Sequence, residues 1–131
     1  MALKRPVRAE SVEAPLPSSA GSARTAIGLA RQFDTAILVK GGHTETAEVT
    51  DILYGPAGET ARWSAPRIDT TSTHGTGCTL ASAIATGLGQ GMTLTDAIAR
   101  AIRFVRRALH AAPGFGKGHG PMGQQSVTDI R

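Results

Sequence analysis

At 131 residues the chain has the length of one ordinary domain, enough to bury a core and too short for two. Hydrophobic residues at 40%, charged residues at 18% and 16 glycines describe a folded chain rich in small residues and turns, and exclude disorder throughout. The net charge of +4 does not make a nucleic-acid surface, because no aromatic side chains interleave with Arg103, Arg106 and Arg107 or with Lys4, Arg5 and Arg8. A single cysteine excludes an internal disulfide, no segment has the length and apolarity to span a bilayer, and no apolar run follows Met1–Arg8 as a secretory signal requires. A cytoplasmic protein is expected.

Residues 1–21 hold Pro6, Pro15 and Pro17 among serines and read as a poorly ordered lead-in. From Ser22, placed to cap the first amides, Ala23, Ala26, Ile27 and Ala30 recur at helical spacing and predict a short helix to about Gln32. Ala36–Val39 is a short apolar run of the kind that forms a buried strand. Residues 47–54 and 59–65 are extended candidates on either side of Gly55-Pro56-Ala57-Gly58, which predicts an antiparallel hairpin. After the polar stretch 69–74 and a glycine loop, 79–88 predicts a helix that ends among Gly87, Gly89 and Gly91. Thr93 and Asp96 make a capping-box-like start, and Leu94, Ile98, Ala101, Ile102, Val105 and Leu109 trace one face of a long helix to about Ala112. A glycine-rich tail begins at Pro113. This order predicts an α/β arrangement in which a loop at the sheet edge opens into a helix, the place where anions bind.

That loop is Thr73-His74-Gly75-Thr76-Gly77-Cys78-Thr79. Two glycines before a helix let the backbone turn sharply and aim unpaired amides outward, where a phosphoryl group finds donors and the positive end of the helix dipole. It is not a Walker A loop, since no Gly-Lys-Ser/Thr follows, nor the dinucleotide fingerprint, since Leu80 stands where the third glycine belongs. By itself the pattern reads as a structural turn in preference to a phosphate site. Cys78 falls where a helix start favours thiolate chemistry, against the plain alternative of a small buried filler. His74 and Cys78 alone do not supply a metal-ligand set, so no metal site is assigned. Val39-Lys40-Gly41-Gly42-His43 is a second constellation: a lysine leaving a strand into two glycines can turn its ammonium toward phosphate, or simply be solvated. Asp51, inside an apolar strand, is either a hydrogen-bonded carboxylate or a solvent-facing one.

Four blocks in order, residues 36–43, Asp51-Ile52-Leu53-Tyr54, residues 73–80 and Gly118-His119-Gly120-Pro121, resemble the C-terminal half of the hydroxymethylpyrimidine and phosphomethylpyrimidine kinases of thiamine biosynthesis. The resemblance covers residues 22–123 and implies the C-terminal part of a ribokinase-like three-layer α/β sandwich, with 124–131 as a tail. It implies ATP and Mg2+ as cofactors and a small-molecule pyrimidine as substrate. Gly75, Thr76, Gly77 and Cys78 would then form the anion hole, with Cys78 as the catalytic base. Lys40, Thr73, Thr76 and Gly77 would contact ATP, with Lys40 neutralising charge as the phosphoryl group moves.

Two departures accompany the resemblance. The family's N-terminal half supplies most of the pyrimidine pocket and several central strands, and this sequence has no counterpart for it. Residues 12–20 resemble a degraded Asn-Leu-Pro-Glu segment, with Pro15 for the asparagine and Ser18 for the glutamate that helps organise magnesium and phosphates. Alongside the kinase reading stand a noncatalytic nucleotide-binding remnant, a subunit completed by a partner chain or by self-association, and a pyridoxal kinase.

Overall fold

The computed structural model describes residues 20–42 and 46–129, arranged as two compact units, Met1–Arg67 and Ile68–Arg131. In the first unit, helix α1 (Ala20–Phe33) lays Ala26 and Ala30 on the sheet. Small side chains at these positions let the helix approach closely, so that Ala26 joins Ile52 and Tyr54 in a buried cluster flanked by Ala23, Ile27, Ile37 and Val39. Ser22 lies inside α1 and does not cap it, because the helix is already under way at Ala20. The proline-rich residues 1–19, with Pro15 and Ser18, and His43 lie outside the described residues. At the other end Asp34 takes a left-handed φ of 47° while the Thr35 amide donates back to the Ala30 carbonyl at 3.0 Å. This is a helix stop that Asp tolerates better than most residues.

Three antiparallel strands follow, β1 (Ile37–Val39), β2 (Glu48–Gly55) and β3 (Gly58–Pro66), in the order β1-β2-β3. The predicted hairpin is present, turning at Pro56–Ala57 with Gly58 at φ 133°. Strand β1, expected to be buried, is only half-buried, because it lies at one edge of this sheet and pairs with β2 alone. The buried strand is the central β2, whose residues Asp51, Ile52, Leu53 and Tyr54 are all covered. Burial pushes the Tyr54 phenol pKa up, the Glu59 carboxylate adds to this, and the Arg62 guanidinium opposes it. Arg62 in turn grips Glu59 through two hydrogen bonds of 2.9 Å, which hold its own pKa above the ordinary value.

The second unit is a pair of helices closed by the tail. Helix α2 (Thr76–Gly89) starts three residues before the predicted Thr79. Gly75, at φ 82°, turns the chain directly into it, so Thr76, Gly77 and Cys78 form its first turn despite the low helix propensity of glycine. Gly91 at φ 83° terminates it, with the Met92 amide returning to the Gly87 carbonyl at 3.1 Å. Helix α3 (Leu94–His110) begins on Thr93 as the sequence predicts: the Asp96 amide donates to the Thr93 hydroxyl at 3.1 Å, and that hydroxyl donates to the Asp96 carboxylate at 2.6 Å. Its buried positions are Ala97, Ile98, Ala101 and Ala108, so the contact stripe is set by alanines as much as by the larger residues of the predicted face. The helices meet where Gly87 passes Ala97. Among the described residues, no helix is long and apolar enough to cross a membrane.

Candidate active site

The loop ahead of α2 has the form that an anion site needs. Gly75 adopts a conformation that L side chains rarely take, and nothing lies within 4 Å of a Cβ built there, so glycine is required by backbone conformation and not by crowding. The Thr76 amide reaches back to the Thr73 carbonyl at 3.4 Å, and the first regular helical bond runs from the Thr79 amide to the Gly75 carbonyl at 2.9 Å. Between them, among the described residues, the Gly77 and Cys78 amides donate to no protein acceptor and no side chain caps them. Two donors at the positive end of a 14-residue helix, next to an exposed thiol, form the chemical core of the site. Cys78 is therefore exposed and not the buried filler that its residue type allows.

One flank of this loop opens onto a groove of about 420 Å³ between α2 and α3, with Cys78, Ser82 and Thr86 on one wall and Arg100 and Phe104 on the other. The other flank is covered by the tail. The His74 amide donates to the Gly120 carbonyl at 3.2 Å, His74 bridges Pro121 in parallel, and the Thr73 hydroxyl shares a 3.0 Å hydrogen bond with His119 Nδ1. Thr73, Gly75, Thr76, Gly77 and Cys78 are thus brought together in the second unit, and sequence reasoning missed the tail residue His119 as their neighbour. The Gly118-His119-Gly120-Pro121 block was the available signal, but it carries no indication of what it touches.

Lys40 belongs to the first unit, exposed at the end of β1. Its surroundings explain the first of the two following glycines. A Cβ on Gly41 would run into the Thr50 backbone oxygen, so only glycine lets the chain pass β2 here. The Gly41 amide donates to Asp51 Oδ1 at 3.0 Å, and Asp51 is 8% exposed. Of the two readings of Asp51, the structure selects the buried, hydrogen-bonded one: its carboxylate fixes the backbone just after Lys40. Asp51→Ala is expected to cost about 1.5–3 kcal/mol, the range for a hydrogen bond to a charged group, read as a lower urea midpoint at unchanged slope.

The arrangement offers no dedicated metal cage, since among the described residues no three His, Cys, Asp or Glu side chains stand together.

A sequence model of the phosphomethylpyrimidine kinase family matches residues 12–123. The bifunctional thiamine biosynthesis protein ThiED of Geobacter sulfurreducens is 50% identical over 96 residues, covering 72% of this chain and 19% of that protein. The hydroxymethylpyrimidine/phosphomethylpyrimidine kinase of Rhizobium meliloti is 43% identical over 103 residues, covering 76% of this chain and 38% of the relative. The chain therefore spans well under half the length of these relatives. Among solved structures, the pyridoxal kinase from Staphylococcus aureus superposes with a TM-score of 0.68 at 22% identity, covering 81% of this chain and 40% of that one. A phosphomethylpyrimidine kinase fold from Bacteroides thetaiotaomicron gives 0.56 at 22% identity, covering 70% and 33%. These likenesses establish the ribokinase-like α/β fold that the sequence resemblance implies. By the span of its sequence match, the chain belongs to the phosphomethylpyrimidine kinase family.

Proposed function

We propose that this chain serves ATP-dependent phosphoryl transfer to a hydroxymethylpyrimidine or its monophosphate, the chemistry of thiamine biosynthesis, in the cytoplasm. The observation that carries the reading is the pair of unpartnered amides, Gly77 and Cys78, beside the exposed Cys78 thiol at the start of α2. In this reading Cys78 acts as its thiolate and is left as the thiol, accepting the proton of the substrate hydroxyl as that oxygen bonds to the γ-phosphorus. The bond to the departing ADP oxygen breaks, and the loop amides of Gly75, Thr76, Gly77 and Cys78 receive the charge that gathers on the phosphoryl oxygens. Lys40 neutralises the nucleotide phosphates, and Thr73 and Thr76 add hydroxyl contacts. Magnesium, when bound, supplies further charge neutralisation on the nucleotide.

A second reading keeps the anion loop without turnover by this chain alone: a nucleotide-binding remnant, or a subunit completed by another chain or a second copy. Pyridoxal is the alternative substrate, because a solved relative of this fold, the Staphylococcus aureus pyridoxal kinase, holds AMP-PCP and pyridoxal. Calorimetry with ATP and magnesium, beside coupled assays on hydroxymethylpyrimidine and pyridoxal, separates these. We expect weak nucleotide binding that Lys40→Ala weakens further, and little turnover by the chain alone. Strong turnover would eliminate the remnant reading, and a folded chain with no nucleotide affinity would eliminate phosphate binding altogether.

A further inference from the structure

We infer that the tail is a strap that holds the phosphate loop in its receiving geometry, and that His119 is its positioning residue; this rests on the phosphate reading of the loop given above. The strap is anchored at its far end on α3. The Gly123 amide donates to the Ala108 carbonyl at 2.8 Å, and Met122 beside it is 2% exposed. A Cβ on Gly123 would collide with the Ala111 backbone, so the segment lies flat against the end of the helix.

From that anchor it reaches both sides of Gly75–Cys78. Upstream, His119 bonds the Thr73 hydroxyl at 3.0 Å and the Gly120 carbonyl accepts the His74 amide at 3.2 Å. Downstream, Gln124 Nε2 points at the Thr79 hydroxyl at 3.4 Å. Gly120 packs so closely that a Cβ would sit 2.8 Å from the Phe115 carbonyl oxygen and 3.2 Å from Ser72 Oγ, and Ser72 is itself buried. The loop's own ties run into α2, through the Thr79 amide to the Gly75 carbonyl at 2.9 Å, while its Thr76 amide makes only a 3.4 Å contact and, among the described residues, the Gly77 and Cys78 amides donate to no protein acceptor. Its outer side is therefore supported by residues 45 and 46 positions away in sequence. Of these contacts the Thr73–His119 bond is the upstream one made between side chains, so it can be removed without disturbing the backbone strap.

The test uses the full chain with His119→Ala, His119→Asn, Thr73→Val and the double variant Thr73→Val/His119→Ala. Inorganic tripolyphosphate binding is measured by calorimetry, and the loop amides are followed by nitrogen-15 NMR. His119→Ala is expected to weaken tripolyphosphate binding roughly two- to tenfold, the worth of one ordinary hydrogen bond, and to move the Gly75 and Gly77 resonances. The Asn amide nitrogen can stand where Nδ1 stands, so His119→Asn restores both readouts. The double variant is no worse than Thr73→Val alone, because His119 acts only through the Thr73 hydroxyl that this change has already removed. Wild-type binding and loop resonances in His119→Ala would overturn the positioning role. Wild-type protein that binds no tripolyphosphate would instead overturn the phosphate reading, while the loop resonances still decide whether His119 positions the loop.

Discussion

Gly87→Val is expected to destabilise the helix pair by about 3 kcal/mol or more, the upper range for overpacking a close contact, and to lower its melting temperature by roughly 10 °C. At this position even a single Cβ would lie 2.9 Å from Ala97 Cβ and 3.2 Å from Ala97 Cα. The Arg100 guanidinium, 3.2 Å away, can swing aside, but the Ala97 backbone cannot. Moving α2 away from α3 to make room would uncover Ala97, Ile98 and Ala101, all at most 1% exposed. Gly89→Ala is the matched control, since nothing lies within 4 Å of its added Cβ. There the helix propensity of alanine should dominate and give a gain of about 0.5–1 kcal/mol. Thermal melts of both variants measure the contrast, and equal effects would disprove the close-contact account.

Cys78→Ala is expected to reduce the small phosphoryl transfer of the chain at least ~100-fold, to background, the lower end for loss of a positioned base. Nucleotide affinity should change little, because the donors at the loop are backbone amides that remain when the side chain is truncated. A coupled assay with ATP, magnesium and hydroxymethylpyrimidine reads the first quantity and calorimetry the second. Turnover that survives Cys78→Ala unchanged would remove the base role while leaving the amide site standing. Loss of binding together with turnover would point to a disturbed helix start, which the amide resonances of Gly77 would reveal.

The elements whose signals are local were legible in the sequence. Thr93 and Asp96 are three residues apart and make the cap that their spacing predicts. The hairpin turns where Gly55-Pro56-Ala57-Gly58 says it should. Helix α1 shows Ala26 and Ala30 on its buried face, as their period requires. What was not legible depends on partners distant in sequence. Helix α2 starts a turn early because Gly75 sets the backbone, and a scan that weighs Gly77 as a poor helix former misses this. Asp51 read two ways because its acceptor role depends on Gly41, ten residues back, just beyond the end of the paired strand β1. The same holds for the site: Gly75, Gly77 and Cys78 stood out as a motif, whereas His119 and Gln124 belong to a stretch with the composition of an unstructured tail. Only the fold brings them to the loop.

The strap also orders events during synthesis. Helix α2 and its leading loop emerge from the ribosome well before His119, whose bonding partner Thr73 lies 46 positions earlier. Until residues 119–124 follow, α2 and α3 can pair through Gly87 and Ala97, but the loop at the head of α2 lacks its outer support. In the strap reading, the nascent second unit can therefore pair its helices before residues 119–124 are present to support the loop at the head of α2.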